Sequence, residues 1–456
     1  MCATSVRTVA RPTSVLVSGV ALCVLLAASR PAPAAGEPVA DAPAATTWQL
    51  KIGVQERVRS ENWDNSSDFD AAHTDARHQL RFRTRAWLDL ARGTRFAFVL
   101  GLDNESRRIT TPETPFEWDE TIFETLYLDA KITPAVAVRV GRQNLQRNDG
   151  FLLLEGGPLD GSRSTYSNAL DVTYTRGASK LECLAITNPS RDQYLPPFND
   201  QDKLLVEWDE LALGLWYVDT HVESTTLEGY YFWKGETDDV RAPTASGYQP
   251  DRNVHTLGTR ILRKWLPDWS LTAELAGQLG QSDPDAGLRA WGSQASAKKT
   301  FAHTTKPSLT LGWAGLSGDD PASAAIEAWD PLFARWPKWS ELYIYTLASE
   351  TGVAYWTNLA MGQVRFQITP WKHVDLHAVY SRLGAFHPFP GPESMYGAGR
   401  RRGDLFELHA DIAASSPIRG HLLGEYLAPG SFYAGSAGAW FLRAEISASF
   451  EHLFVF

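Results

Sequence analysis

From Trp48 onward the chain alternates apolar and polar residues in short stretches. In one, Leu80, Phe82, Ala86, Leu88 and Leu90 share one parity, while Arg81, Arg83, Arg85 and Asp89 take the other. Val364, Phe366 and Ile368 oppose Arg365 and Gln367, and Phe406, Leu408, Ala410 and Ile412 oppose Glu407, His409 and Asp411. A period of two predicts β-strands with one greasy and one wet face. About 18 such stretches can be placed, each near the ~9–11 residues a tilted membrane-crossing strand requires. Tight turns such as Arg92-Gly93-Thr94, Thr133-Pro134, Arg176-Gly177-Ala178 and Thr369-Pro370-Trp371 alternate with long polar or aromatic connections, including 61–78, 144–168, 189–208 and 316–359. A soluble sandwich has no reason to gather its short turns at one end. A closed barrel in an outer membrane does, with short turns in the periplasm and long loops outside. The expected fold is therefore all-β: a transmembrane antiparallel β-barrel of about 18 strands, of the Gram-negative outer-membrane type.

Parity then sorts the charges. Lipid does not tolerate several arginines near its midplane, at roughly 2–4 kcal/mol each, so the face carrying Arg81, Arg83 and Arg85 must turn inward. The same rule sends Lys51, Arg57, Arg139, Arg260, Lys298, Arg365, Arg419 and Arg443 into the lumen, along with acids such as Asp89, Asp103, Asp171, Glu274, Glu407 and Glu425. Two readings stay open. The charges can pair across adjacent strands as a structural lattice, or the cations of Lys51 to Arg85 can form an anion track. Arg142 follows Gly141 and breaks the parity of Val138 and Val140. It is either a carboxylate fork at a constriction, turned inward by a bulge at Gly141, or a rim arginine that ties down the loop of Asp149.

Composition narrows the classes. The N-terminus has Arg7 and Arg11, an apolar run from Val15 to Ala28, and then Ala32-Pro33-Ala34-Ala35. That order reads as a secretory signal over 1–35, followed by a flexible Ala/Pro leader over 36–46 and a barrel over 47–456. A net charge of −10 argues against nucleic acid as partner. Cys183 is the one cysteine past the signal, so it has no internal disulfide partner and reads as a small apolar residue. No histidine spacing suggests a metal, no Gly-x-Ser-x-Gly element suggests a hydrolase, and no cofactor is called for. Asp68, Asp70, Asp319 and Asp320 lack the ligand spacing of a known calcium loop. The connection 316–359 carries Trp329, Phe333, Trp336 and Trp339, which are either a sugar-stacking vestibule or the loop's own core.

The last strand is the most specific segment. Trp440, Leu442, Ala444, Ile446, Ala448, Phe450, Phe454 and Phe456 share one parity, and Phe456 is the final residue. This resembles the C-terminal signal read by the outer-membrane barrel assembly machinery. Further back, Gly141-Arg142-Gln143, then Asp149-Gly150, then Gly157-Pro158-Leu159-Asp160 and Ala169-Leu170-Asp171 follow in order. Trp329-Asp330-Pro331-Leu332-Phe333, Tyr355-Trp356-Thr357-Asn358-Leu359 and Gly424-Glu425-Tyr426 come after them. Together these motifs resemble the alginate export family over roughly residues 47–456. Val172 after Asp171, and Gln146-Arg147-Asn148 after the Gly-Arg-Gln element, depart from the family's pattern. The resemblance implies a passive channel for an anionic polysaccharide or other anionic solute, set among outer-membrane lipid and lipopolysaccharide. The alternative is a general or uptake porin for small polar solutes on the same scaffold.

Overall fold

The computed structural model describes residues 47–73, 75–155, 166–196, 198, 208–237, 252–282, 286–415 and 417–456. The expected signal and leader, and the Gly157 to Asp160 motif, lie outside the described residues. In chain order the strands are β1 (Trp48–Asp64), β2 (Arg77–Arg92), β3 (Phe96–Thr111), β4 (Glu117–Lys131), β5 (Val136–Gln143), β6 (Leu145–Gln146), β7 (Leu154–Glu155), β8 (Ser167–Arg176), β9 (Ser179–Asn188) and β10 (Asp209–Asp219). They continue as β11 (Thr225–Thr237), β12 (Arg252–Leu266), β13 (Trp269–Ser282), β14 (Ala286–Thr300), β15 (Ser308–Leu316), β16 (Leu359–Trp371), β17 (Val374–Gly384), β18 (Arg401–Ser415), β19 (Ile418–Pro429) and β20 (Ala439–Val455).

All but β6 and β7 join one 18-stranded sheet. It closes because β1 pairs antiparallel with both β2 and β20. Trp48 N–H donates to the Phe456 carbonyl at 2.9 Å, and Phe456 N–H returns the bond at 3.0 Å. Closure is what hydrocarbon demands, since an open edge would leave a row of unpaired backbone groups. Tight turns such as 93–95, 177–178 and 372–373 lie at one end, and the long connections lie at the other. Two links at the long end, 112–116 and 283–285, are also short, so the alternation is not strict.

The two faces divide as the period of two requires. Leu257, Leu275, Leu279, Leu408, Ile446 and Phe450 are exposed on the outer wall. Trp265 and Trp371 stand near the short turns, and Trp118 and Trp440 near the other end, as interfacial girdles do. Glu56 is an exception: it faces outward between Val54 and Val58, where it accepts a 2.6 Å bond from Thr84 Oγ1.

The lumen is not empty. The segments 144–155 and 317–358 fold inward and meet. Leu154 N–H donates to Phe333 O at 3.0 Å, and Phe333 N–H donates to Leu152 O at 3.1 Å. Phe151, Leu153, Trp329, Phe333, Leu342 and Leu347 are buried in a continuous apolar cluster. It shields their apolar surface from the water of the lumen. A single-turn helix, Tyr343–Leu347, sits inside this cluster.

Candidate functional site

The inward loop 317–358 is fixed at opposite walls of the barrel. On one side Asp330 accepts from Arg252 of β12 and exchanges two bonds with Gln278 of β13, at 2.8 and 2.9 Å. Lys234 of β11 donates to Leu332 O at 3.1 Å. On the other side Glu425 of β19 accepts from Ser340 and from the N–H groups of Glu341 and Leu342, and Arg443 of β20 pairs with Glu341 at 2.8 Å. Arg402 of β18, fully buried, binds both oxygens of Glu350 at 2.8 Å. The smaller loop is held in the same way. Arg147 pairs with Asp171 at 3.0 Å and Glu182 at 2.6 Å, and Asn148 donates to Glu228 at 2.7 Å. The loop is thus a strut across the lumen, bonded to β11–β13 on one side and to β18–β20 on the other.

The cations expected on the β1–β2 wall are matched by acids. Arg81 contacts Glu61 at 3.0 Å and Glu105 at 2.8 Å; Arg57 contacts Glu105 at 3.2 Å and Arg59 contacts Glu445 at 2.6 Å. Arg85 binds Glu124 at 2.6 Å, Arg443 binds Glu61 at 2.6 Å, and Arg83 donates to Gln55 at 3.2 Å. Lys51 lies 3.1 Å from Asp89, and Arg139 lies 2.6 Å from Asp129 and over the Tyr127 ring. Bidentate and networked pairs of this kind fix geometry and neutralise the wall.

Arg142 is committed within the protein. It donates to both Asp192 oxygens at 2.7 Å and to Asn168 at 3.1 Å, and it stacks on Tyr166. The β4–β5 register runs through Gly141 without an inserted residue. Gly141 has φ +125°, and a Cβ there would collide with the Leu126 carbonyl oxygen. The loop that Arg142 holds is the one carrying Asp192; Arg147 holds the Asp149 turn. Burial pushes the Asp192 carboxyl up, but Arg142 and the N–H groups of Leu195 and Tyr194 outweigh it and hold the pKa below its ordinary value.

A different group of cations is less completely paired. Between the strut and the short turns lies a chamber of 380 Å³, whose lining includes Lys298, Arg365, Lys338, Trp336 and Trp339 and one carboxylate, Asp149. Its wall residues come from the inward parity of β13 to β16. Among the described residues Lys298 has no ion pair. Arg365 Nε is buried without a hydrogen-bond partner among the described residues, and Glu407 of β18 stands across Val379 of β17 from it. Lys338 is 8% exposed; its nearest carboxylate, Asp149, is 3.7 Å from Nζ, beyond hydrogen-bonding length. Burial pushes the Lys338 ammonium below its ordinary pKa, against the pull of Asp149 and Glu274. Trp336 is oriented by its indole N–H donating to Gly150 O at 3.2 Å, and Trp339 packs edge-on to Trp356 at 5.0 Å. Of the four loop aromatics, Trp329 and Phe333 belong to the apolar cluster, while Trp336 and Trp339 face the chamber. Lys338 carried no sequence signal, since nothing in a connection without periodicity shows which residue turns inward. A larger concavity lined by Leu257, Leu279, Trp291 and Phe386 opens on the outer wall toward the long connections.

Three solved structures share this architecture. The chain is similar to Pseudomonas aeruginosa OccK7 (OpdD), at 12% identity and a TM-score of 0.52, covering 89% of this chain and 99% of that one. It is similar to OccK5 (OpdH) of the same organism, at 12% and 0.53, covering 88% and 98%. It is also similar to the P. aeruginosa outer membrane protein opdK, at 12% and 0.54, covering 88% and 99%; that protein has been solved with vanillate as well. No curated protein matches the chain. The likeness is one of fold: a closed outer-membrane barrel with loops turned inward. A family profile described as alginate export matches residues 48–383; the chain belongs to that family and is a transport channel of the Gram-negative outer membrane, not an enzyme.

Proposed function

We propose that this channel passes anionic, carboxylate-bearing solutes, with uronate oligomers of the alginate type as the first class. One observation carries the reading: Lys298, Lys338 and Arg365 line one luminal chamber next to two indole rings, and the single carboxylate among its lining residues, Asp149, stands 3.7 Å from Lys338. Cations in a pore wall select anions, and aromatic faces suit sugar or aryl rings. The lattice on the β1–β2 wall supports the same reading by contrast, because its cations are already neutralised by Glu61, Glu105, Glu124 and Glu445. A volume of 380 Å³ is at the low end for small-molecule sites, so the chamber takes one short segment or one small acid at a time. The vanillate bound in opdK, a small ring carboxylate on the same fold, favours the small acid as a second reading.

Reversal potentials and single-channel block in planar bilayers test this. The wild-type channel is expected to prefer anions and to be blocked by oligouronates. Lys298→Ala/Lys338→Ala/Arg365→Ala is expected to weaken block at least about tenfold, which corresponds to 1.4 kcal/mol. A cation-preferring pore indifferent to oligouronates and to small aryl carboxylates overturns the proposal, in favour of a porin for neutral polar solutes. Phe456, exposed at the end of the closing strand, is proposed as the contact for the assembly machinery. Phe456→Ala, which keeps the backbone bonds to Trp48, is expected to lower the yield of inserted barrel in cells, measured by surface protease accessibility, and to leave refolding in detergent unchanged.

A further inference from the structure

Three histidines stand on adjacent strands inside the lumen, beside the wall that carries Arg365 and Gln367. His377 of β17 is the register partner of His409 of β18, and Asp411 of β18 is the partner of His421 of β19. All four share the inward parity. One ring nitrogen each of His377 and His409 and one carboxylate oxygen of Asp411 lie within 4.8 Å of one another. Asp411 is already 3.8 Å from His377 Nε2 and 3.3 Å from His409 Nε2. The rings of His377 and His409 stand 5.6 Å apart and those of His409 and His421 5.2 Å apart, both edge-on. His421 Nε2 is buried and makes no hydrogen bond among the described residues, while its Nδ1 faces Glu445 at 3.7 Å.

From this geometry we infer that His377, His409 and Asp411 form a luminal binding site for a divalent transition metal of the zinc, nickel or copper type. Two imidazoles and a carboxylate are the donor set these ions prefer. Bonds of about 2.0–2.1 Å place donors roughly 3.3 Å apart, so rotation of the side chains on a fixed sheet closes the site. His421 lies on the next strand as an outer partner or a fourth donor. Glu445 faces its other ring nitrogen at 3.7 Å, as carboxylates behind ligating imidazoles do to orient them. Asp375, paired in register with Asp411, adds negative charge to the same inner wall, and Glu445 is itself bonded by Arg59 at 2.6 Å. The fewer-than-complete protein ligand set leaves positions open to the lumen. The site lies near the short-turn end, on the wall next to Arg365 and Gln367, and Gln367 is the register partner of His377. Occupancy is independent of what the channel carries.

Calorimetric titration of the tag-free barrel in detergent with zinc chloride and with nickel chloride is the test. We expect one site per chain with a Kd of about 1–10 µM. His377→Ala/His409→Ala should weaken it by at least about a hundredfold and Asp411→Asn by about tenfold. His73→Ala, which removes the exposed loop histidine beside Asp68 and Asp70, should change nothing. Heat-modifiable gel mobility reports whether each variant is folded; His377→Gln/His409→Gln replaces the alanine pair if that pair fails to fold. No binding by the wild type up to about 1 mM, or binding unaltered in the folded double variant, overturns the inference.

Discussion

Arg142 holds two 2.7 Å bonds to Asp192, and its guanidinium is almost closed to solvent. Removing one member of such a buried pair leaves the other uncompensated, at about 3–5 kcal/mol. Asp192→Asn is therefore expected to free the outer connection that carries it. The barrel should stay intact, and surface proteolysis of intact cells should cut that connection in the variant alone. Because the Asp192 carboxyl sits below its ordinary pKa, the folded state binds fewer protons than the released one. The docking energy is thus fully present above about pH 4 and fades as pH falls through the lower folded value. Protection against an acid-active protease should persist at mildly acidic pH and vanish only well below it. The sequence drew attention to Arg142, since a glycine precedes it and parity breaks there. Its partner lies 50 residues away in a connection with no period, so the pairing itself could not be read. The histidines show the same limit. Each is unremarked within its own strand, and only cross-strand register sets His377 beside His409.

The strands were legible because lipid and water impose opposite demands on successive side chains. Where β18 runs Phe406, Glu407, Leu408, His409, the exposed apolar residues and the inward polar ones are those the alternation assigns. The inward strut was not legible, because its contacts reach from Asp330 to β12 and from Glu341 to β20 without any repeating pattern. Two segments singled out in the sequence did mark its attachment points: Asp330 of the Asp-Pro-Leu-Phe segment, inside the family match, and Glu425 of the Gly-Glu-Tyr segment, beyond it, are both anchors. Arg402 and Glu350 form a further anchor, joined by the hydroxyls of Tyr343 and Tyr433. Glu350→Gln leaves the Arg402 guanidinium buried without its carboxylate, again at about 3–5 kcal/mol. We expect the strut to loosen on the β18 side, single-channel conductance to rise with larger fluctuations, and the thermal transition of the barrel to move little. A conductance trace identical to wild type would show that this pair does not hold the passage closed.

Across the whole molecule, two populations of charge respond differently to salt. The lattice pairs of Arg57, Arg81 and Glu105 are almost fully buried, so ions in solution screen them little. Of the chamber cations Lys298 and Arg365 are half-buried and meet water, while Lys338 is nearly closed off. Raising ionic strength from 0.1 M to 1 M shortens the screening length from about 10 Å to about 3 Å. Oligouronate block and anion preference are expected to fall sharply over that range, while the unfolding temperature stays nearly constant. Equal salt sensitivity of both would place the selective charges elsewhere. The strut also has a mechanical consequence. A hollow cylinder of hydrogen-bonded ribbon flattens easily under the lateral pressure of surrounding lipid, because bending a strand seam breaks no bond. A spoke bonded to β11–β13 on one side and to β18–β20 on the other resists that flattening.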